Sequence, residues 1–312
     1  MSDPSPQSQA NGLLLVDKPK GPTSHDVVAM VRKLAKTKSC GHTGTLDPMA
    51  TGLLLVLVGP STKLAPFMAE ADKSYLAEIR LGLLTDTLDV TGQTLSEWDG
   101  AYPPAGEVLA ALSALEALTE QVPPAFSAIK VSGVAAHKAA RAGREIPLAP
   151  RPVTARALRL IAYEPPVATV RADVSKGYYV RSLARDLGQA LGLGGGCLSG
   201  LRRLSAGPFE VSAAGPIPGS HGELLAKLLS PRQALCHLPE LPLSGPEVKA
   251  LCQGRKLAPP ARAAGTYKII APGGSLAAIG QIVDPAESPH ERRQPGTPEG
   301  PFLRPLRVLA SG

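Results

Sequence analysis

Hydrophobic positions along the chain fall into short runs whose spacing predicts both strands and helices. Runs that are continuously apolar, or that alternate with a period of two, predict strands at 13–16, 53–58, 75–81, 126–131, 153–163, 167–175 and around Leu201. Runs with a helical period, or rich in alanine and leucine, predict helices at 24–37, 63–68, 108–118, 135–142 and 179–191. Strands and helices are interleaved without the phosphate-binding glycines of β-α-β units. This order favours an α+β fold with a mixed, mainly antiparallel sheet.

The helix predicted at 24–37 has clear boundary signals. Thr23 is a suitable N-cap, and Asp26 lies in the first turn, where a negative charge is favourable. Val27 and Val31 belong to the apolar stripe that this helix is predicted to bury.

The C-terminal part of the sequence has a different character. Prolines cluster between residues 230 and 243, and beyond them Pro272-Gly273-Gly274 separates two strand-like runs, which predicts a hairpin. We therefore expect three regions, which are a disordered tail at 1–11, a main domain at 12–235 and a small β-rich domain at 236–312. Within the last region, residues 288–301 are rich in charge, glycine and proline and are predicted to form a mobile loop.

Composition restricts the class of protein. The 312 residues are 44% hydrophobic, enough for a large buried core and about two domains. The net charge of +7 permits a polyanionic partner. Residues 120–205 carry this excess, with thirteen Lys or Arg against five Asp or Glu. A solvated basic face without a ligand is the alternative explanation of that charge.

The sequence shows no clear motif for membrane targeting, disulfide bonding or zinc binding. The first ten residues are polar, and no apolar run approaches the roughly 20 residues of a membrane span. The four cysteines form no C-x-x-C pair, so neither a disulfide framework nor a zinc site is predicted. We expect a cytoplasmic protein that does not bind a membrane.

The most informative stretch is residues 41–52, Gly-His-Thr-Gly-Thr-Leu-Asp-Pro-Met-Ala-Thr-Gly. Its glycines and proline exclude a regular helix or a central strand, and predict a shaped loop anchored by the apolar run that follows. Asp47 is the one carboxylate in this stretch, and a carboxylate on a rigid loop suits a nucleophile or general base. For an isolated Asp-Pro pair, a turn stabilised by the aspartate would be the better explanation.

Together with other motifs in the same order, this stretch resembles the signature of the TruB family of tRNA pseudouridine synthases. The other motifs are Leu-Leu-Val-Asp-Lys-Pro-Lys-Gly at 14–21, Lys-Ser-Tyr at 73–75, Thr-Asp-Thr at 85–87 with Asp89 and Gly92, Pro-Ala-Phe-Ser-Ala-Ile-Lys at 124–130, Ser-Lys-Gly-Tyr-Tyr-Val-Arg at 175–181 and Leu-Arg-Arg at 201–203. Each motif alone is weak, and the specificity lies in their common order.

The resemblance implies the pseudouridine-synthase fold, with a small C-terminal β-domain of the RNA-binding PUA type. The implied activity is that of tRNA pseudouridine-55 synthase, an isomerase that converts a T-loop uridine of tRNA. Because the glycosidic bond of that uridine is inaccessible in folded RNA, the enzyme must flip the nucleotide into a pocket.

The resemblance also implies the catalytic residues. Asp47 is the nucleophile that promotes cleavage of the N1–C1′ bond, after which uracil turns and rejoins through C5. Attack at C1′, attack at C6 and a glycal route all remain open. Arg181 is the expected cation beside Asp47, since a guanidinium can hold a carboxylate by two hydrogen bonds. Tyr75 is the expected stacking ring and proton handler.

Further residues are implied to bind the RNA. His42 is expected to stack into the space that the flipped nucleotide leaves, and Tyr179 and Leu201 to complete the pocket wall. Lys18 and Lys130 suit phosphate contacts and loop support. Tyr178 precedes Tyr179, so the sequence leaves open which of these two rings faces the base.

No cofactor is expected, because isomerisation needs neither redox chemistry nor an energy source. No metal site is expected either, since Asp86 and Asp89 lie in a threonine-rich loop where turn stabilisation is the commoner role. The expected partner is the T-arm of tRNA, bound by a monomer without a protein partner.

Two other classes fit some of these features. A non-catalytic RNA-binding protein or tRNA folding chaperone would use the basic segment and the C-terminal domain equally well. A carboxylate-dependent glycoside hydrolase would need a second carboxylate at a set separation, and only Asp47 has such a setting.

Overall fold

The computed structural model describes residues 10–127, 129–131, 134–135, 147–259, 261–284 and 300–309, without the side chains of 130, 131, 134 and 135. The predicted tail at 1–11, helix at 135–142 and mobile loop at 288–301 lie mostly outside the described residues.

The described strands are β1 Gly12–Lys18, β2 Cys40–His42, β3 Thr51–Val58, β4 Lys73–Leu81, β5 Leu83–Thr85, β6 Thr94–Glu97, β7 Glu120–Gln121, β8 Lys130–Val131, β9 Val134–Ala135, β10 Arg151–Pro152, β11 Ala155–Glu164, β12 Val167–Val174, β13 Gly196–Ala206, β14 Phe209–Glu210, β15 Glu240–Pro242, β16 Gly265–Ile270, β17 Leu276–Val283 and β18 Phe302–Val308. The described α-helices are α1 Ser24–Ala35, α2 Ala65–Ala69, α3 Ala105–Glu116, α4 Val180–Ala190, α5 His221–Lys227, α6 Pro231–Ala234 and α7 Gly245–Cys252. Two 3-10 helices cover Gly59–Leu64 and Val211–Ala213.

The central sheet has the strand order β1-β3-β13-β4-β12-β11. Adjacent strands in this order are antiparallel except β3 and β13, which pair in parallel over two residues. The prediction of a mixed, mainly antiparallel sheet is therefore confirmed.

The pairing of strands is interrupted along one edge of β3, which leaves an opening in the sheet. One edge of β3 pairs with β1, and the other edge is shared, because β13 pairs with residues 51–52 and β2 with residues 56–58. The connection from β2 to β3, residues 43–50, begins and ends at this opening. The sequence prediction of a loop over all of 41–52 was wrong at its two ends, because both ends belong to strands.

The apolar run in β3 is buried on both sides of the sheet. Leu54 and Val56 pack into the main core with α1, α3 and α4, whereas Leu53 and Leu55 pack into a second cluster with the segment 64–68. A strand that is buried on both faces has no need of polar alternation, which explains the continuous apolar pattern.

Helix α1 begins where the sequence predicts. Thr23 and Asp26 form a capping box in which each side chain accepts a hydrogen bond from the other residue's backbone N–H. Val27 and Val31 are fully buried, as predicted. The helix ends at Lys36, which has left-handed torsions of φ 52 and ψ 34.

The C-terminal part contains a four-stranded sheet of order β15-β16-β17-β18. The predicted hairpin is present as the antiparallel pair of β16 and β17. Leu276 and Ile279 of β17 pack in the same apolar cluster as Leu13 and Met68 of the main part. The division into domains at residue 235 therefore stays a prediction.

A glycine is required where β3 meets β13. Gly52 has φ +97, and a Cβ at this position would lie 2.3 Å from the carbonyl oxygen of Arg203. We expect Gly52→Ala to lower the free energy of unfolding by about 2–4 kcal/mol, through backbone strain and the contact with β13. Urea denaturation measures this change.

Gly41→Ala is the matched control, because position 41 has no positive φ and a Cβ there would meet open space. Equal stability losses in the two variants would contradict the role assigned to Gly52.

Candidate active site

The Asp47 carboxylate forms an ion pair with Arg181 of α4. Oδ2 of Asp47 lies 3.0 Å from Nε of Arg181, with 31% and 11% of the two side chains exposed. The structure thus brings together two groups that are 134 positions apart in the sequence. The accessible part of the carboxylate leaves room for a substrate to approach.

Arg181 also holds two other segments. Its Nη1 donates to the Thr87 carbonyl at 3.1 Å, and its Nη2 donates to the Phe126 carbonyl at 2.9 Å. The expected pair of hydrogen bonds to Asp47 is therefore replaced by a contact through Nε. The physical reason is that the fork of donors in a guanidinium is shared among three loops. Arg181 joins the loops that contain residues 47, 87 and 126.

The loop 43–50 is fixed from inside the protein by buried polar side chains. Ser24 is 1% exposed, and its Oγ donates to the Leu46 carbonyl at 2.9 Å and accepts from the Leu46 N–H at 2.8 Å. Leu46, beside Asp47, is itself 3% exposed. These contacts fix the backbone immediately before the aspartate.

Lys18 holds the other side of Asp47. Its side chain is completely buried, and Nζ lies 2.7 Å from the Ala50 carbonyl and 3.4 Å from the Pro48 carbonyl. Burial lowers the pKa of the Lys18 ammonium, and the Asp47 carboxylate opposes this effect. Of the two roles expected for Lys18, loop support fits this position, whereas a phosphate contact does not.

Arg203 is a loop-holding residue that sequence reasoning missed. It is 2% exposed, and its Nε donates to the Leu53 carbonyl at 2.6 Å. Its Nη2 and Nη1 donate to the carbonyls of Gly44 and Thr45 at 3.1 and 3.4 Å. The sequence did contain a signal for this role. Successive residues of a strand face opposite sides of the sheet, so only one of the two arginines in the Leu-Arg-Arg motif can face the core.

The structure separates the two adjacent tyrosines. Burial raises the pKa of the Tyr179 phenol, which a hydrogen bond with Ser127 and the positive charge of Arg181 oppose. The charges of Arg181 and Asp47 are close enough to act on the Tyr179 phenol, and the Tyr179 backbone is held by Gln121. Tyr178 packs against the main core, and burial raises its pKa above the range of ordinary tyrosines. Tyr179 is the ring at the candidate site.

Tyr75 and Leu201 project from the same face of the sheet. Tyr75 of β4 stands opposite Arg203 of β13, and Leu201 stands opposite Ala77 two residues further along β4. Residues at i and i+2 share one face of a strand, so both side chains lie on the same face as the Arg203 side chain, which binds the loop. Tyr75 is 8% exposed and Leu201 is half-buried. The side chain of Lys130 lies outside the described residues.

His42 lies in β2, at the start of the loop. Its ring meets that of His25 edge to face, with centroids 5.3 Å apart and an interplanar angle of 89°. Burial lowers the pKa of His42, and His25 and Arg203 act in the same direction. Within the described part of the chain its buried Nδ1 has no hydrogen-bond partner. A neutral ring suits stacking better than proton donation.

The two aspartates considered for metal binding stabilise turns. Asp89 accepts hydrogen bonds at Oδ1 from the Thr91 N–H at 2.9 Å and the Thr87 hydroxyl at 3.0 Å, and Asp86 accepts from the Gln93 N–H at 2.8 Å. Among the described residues no group of three or more His, Cys, Asp or Glu is placed to hold a metal ion. In the same part of the chain, no helix combines the length and the apolar character that crossing a membrane requires.

Solved structures define the class to which this fold belongs. An H/ACA ribonucleoprotein bound to a substrate RNA containing 2′-deoxyuridine matches with a TM-score of 0.69 at 21% identity, covering 96% of this chain and 85% of that chain. A Cbf5-Nop10-Gar1 complex matches with a TM-score of 0.70 at 22% identity, with the same coverage. The protein has the pseudouridine-synthase fold.

Sequence relatives define the family. Residues 32–180 match the N-terminal domain of the TruB family pseudouridylate synthases. The chain is 43% identical to tRNA pseudouridine synthase B of Aromatoleum aromaticum over 84% of this chain and 86% of the relative. It is 41% identical to tRNA pseudouridine synthase B of Geobacter sulfurreducens, over 81% and 83%. The chain belongs to the TruB family of pseudouridylate synthases.

The buried arginine gives a direct test of how the loop is held. We expect Arg203→Met to lower the free energy of unfolding by about 3–5 kcal/mol, because the carbonyls of Gly44, Thr45 and Leu53 lose their buried donors. Chemical denaturation measures the loss.

Arg202→Met is the matched control. Arg202 immediately precedes Arg203 in β13 and makes a partly exposed ion pair with Asp17 at 2.8 Å. An exposed pair of this kind contributes about 1 kcal/mol or less. A similar loss in both variants would contradict the role of Arg203.

His42 gives a pH-dependent prediction. Because its pKa is lowered in the folded protein, the unfolded chain binds more protons just below the ordinary value, and native stability falls as pH decreases below about 6.5. We expect His42→Gln to show a smaller loss of stability on acidification from neutral pH. The imidazole resonance of His42 followed by NMR should titrate with a midpoint below 6.5. A midpoint above that value would contradict the assigned burial effect.

Proposed function

We infer that the protein is a tRNA pseudouridine-55 synthase, an isomerase that converts the T-loop uridine of tRNA to pseudouridine. Membership of the TruB family supports the activity, and the curated relatives carry the name tRNA pseudouridine synthase B. The observation that carries the residue assignment is the ion pair of Asp47 and Arg181, made at the loop where the family signature lies.

The reaction is balanced without a cofactor. The N1–C1′ bond breaks, uracil turns, and a C5–C1′ bond forms. The proton on C5 is then lost, while N1, released from the sugar, gains one. Asp47 supplies the carboxylate. It attacks C1′ or C6 and the bond so formed breaks again before the product is released, or it removes a proton from the sugar in a glycal route and later returns it. Each of these routes starts from a carboxylate held at a fixed position.

Arg181 gives Asp47 that position. Its guanidinium is a permanent positive charge that lies 3.0 Å from the carboxylate, and its other nitrogens are fixed on two loop carbonyls. The carboxylate therefore needs little reorganisation when the substrate arrives, which is how a preorganised site lowers the barrier.

The flipped base has apolar and aromatic neighbours. Tyr75 and Leu201 share one sheet face with Arg203, which binds the loop, and the charges of the ion pair act on the Tyr179 phenol. We assign these three side chains to the wall that holds the uracil, with Tyr75 as the stacking ring and proton handler. His42, with its neutral ring, fills the space that the nucleotide leaves in the RNA.

The remaining RNA contacts follow from charge. Lys130 is assigned to phosphates of the T-arm, together with the cations of the segment 120–205 other than Arg181, Arg202 and Arg203, which are engaged within the fold. The C-terminal strands are assigned to a PUA-like module that binds the same RNA. The protein is expected to act as a cytoplasmic monomer without a protein partner, although structures with the same fold include complexes with other proteins.

The decisive experiment maps pseudouridine in an unmodified tRNA transcript after incubation with the protein. We expect product at one T-loop position with the native protein and a rate at least about 10³-fold lower with Asp47→Asn. Arg181→Lys should lose about 10²-fold, because a lysine cannot bind the carboxylate and both loop carbonyls at once.

Asp72→Asn is the control, because this carboxylate also pairs with an arginine, Arg156, but 51% of it is exposed. Equal conversion by the native protein and Asp47→Asn would remove Asp47 from the mechanism. Tight tRNA binding without conversion by the native protein would favour a non-catalytic RNA chaperone.

A further inference from the structure

The C-terminal end of α1 and the residues after it carry four exposed cations, Arg32, Lys33, Lys36 and Lys38, which we call the α1 basic patch. With Ala29 and Thr37 they line a shallow depression on the surface. Within the described ranges, none of the four lies within 4 Å of a carboxylate. Four positive charges are therefore presented to solvent without an ion-pair partner.

Lys36 stands at a position that disfavours lysine. It ends α1 with φ 52 and ψ 34, a left-handed conformation in which glycine or asparagine is usual because a Cβ is strained there. Its backbone N–H donates to the Lys33 carbonyl, but its side chain makes no hydrogen bond or ion pair among the described residues. A side chain placed in a strained conformation without an internal contact is expected to act on something outside the fold.

The same helix forms part of the candidate active site at its other end. Ser24, in its first turn, holds the backbone of Leu46, and the His25 ring contacts His42. Arg32 donates to the carbonyl of Cys40 at 3.3 Å, in the strand that ends at His42. With a helical rise of about 1.5 Å per residue, Lys33 lies about 14 Å along the axis from Ser24. The patch is thus a few nucleotides away from the loop 43–50.

We propose that the α1 basic patch binds backbone phosphates of the substrate tRNA next to the T loop. The inference rests on the proposed function, because it needs the T-loop uridine at Asp47 and its flanking stem beside α1. Exposed cations that lack a partner gain affinity for RNA by replacing the counterions of the phosphates. Such contacts fix the position of the RNA without reading its sequence.

The charge balance at this end of the helix favours an anion. The C-terminus of a helix carries roughly −0.5 of an elementary charge, which by itself repels phosphate. Four full positive charges outweigh it. Asp26 is the one acidic residue between positions 24 and 39, and it lies at the opposite end of α1, where it caps the helix.

The test compares tRNA binding by variants of the full-length protein. All variants carry Asp47→Asn, so that binding is measured without conversion, and the dissociation constant of an unmodified tRNA transcript is followed over a series of salt concentrations. For Lys33→Gln with Lys36→Gln we expect binding to weaken roughly tenfold and the slope of log K against log salt to fall by about 2.

Lys227→Gln is the matched control. Lys227 also lies in the last turn of a helix, α5, but it is paired with Glu223 at 2.6 Å. We expect its dissociation constant and salt slope to match those of the parent. Unchanged binding by the Lys33 and Lys36 double variant would overturn the proposal. Equal weakening by Lys227→Gln would also overturn it, since net charge rather than location would then be responsible.

A single substitution separates the role of Lys36 in binding from its effect on the fold. Lys36→Gly relieves the left-handed strain, so we expect Tm to rise by about 2 °C while tRNA binding weakens. A variant that is more stable and binds tRNA unchanged would count against the patch. Conversion by the protein with native Asp47 is assayed in parallel. Failure of the proposed function then appears as absent product, and failure of this inference as unchanged binding.

Discussion

The loop 43–50 depends on hydrogen-bond donors that replace a missing strand beside β3. Along one edge of β3, the backbone pairs with β13 at one end and with β2 at the other. Between these two, the Leu53 carbonyl accepts from the Arg203 side chain, and the Leu55 carbonyl accepts from the Thr43 N–H. A buried carbonyl left without a donor would cost about 1–3 kcal/mol, so the opening is stable only because these groups fill it. The loop therefore has a rigid base although it is irregular.

Arg181 fixes the loop 43–50 from its exposed side, as Arg203 fixes it from its buried side. Arg203 reaches the carbonyls of residues 44 and 45 from within the sheet, whereas Arg181 contacts the carboxylate of Asp47 from α4. Both are guanidinium groups because each must satisfy three acceptors in different directions, which an ammonium on a flexible stem does less precisely. Two independent elements thus hold the aspartate, one through the backbone of residues 44 and 45 that leads to it and the other through its own side chain.

Much of this arrangement follows from local sequence signals. Strand periodicity, the Thr23 cap and the hairpin at Pro272-Gly273-Gly274 all specify structure over a few residues, and the cap and the hairpin are present as predicted. The strand predicted at 126–131 was wrong at its start, because residues 126–127 form a bend and the described strand covers only 130–131. The partnership of Asp47 with Arg181 came from the family motifs and not from any spacing rule. The roles of Lys18 and Arg203 were harder to predict, because a charged residue is normally expected on the surface. The burial of Arg203 depends on the gap between β3 and β13, and that of Lys18 on the loop 43–50. Both arise only when distant segments of the chain have come together.

The position of β13 in the sheet has a consequence for how the chain reaches its folded state. This strand lies between β3 and β4, yet its residues, 196–206, come after all the other strands in the six-strand order of the central sheet. During synthesis the segments on either side of it are complete long before the strand that joins them leaves the ribosome. Pairings over such sequence separations are slow to form, and they leave unpaired strand edges exposed in the meantime. The strand that supplies Arg203 is therefore also the one whose late insertion closes the sheet.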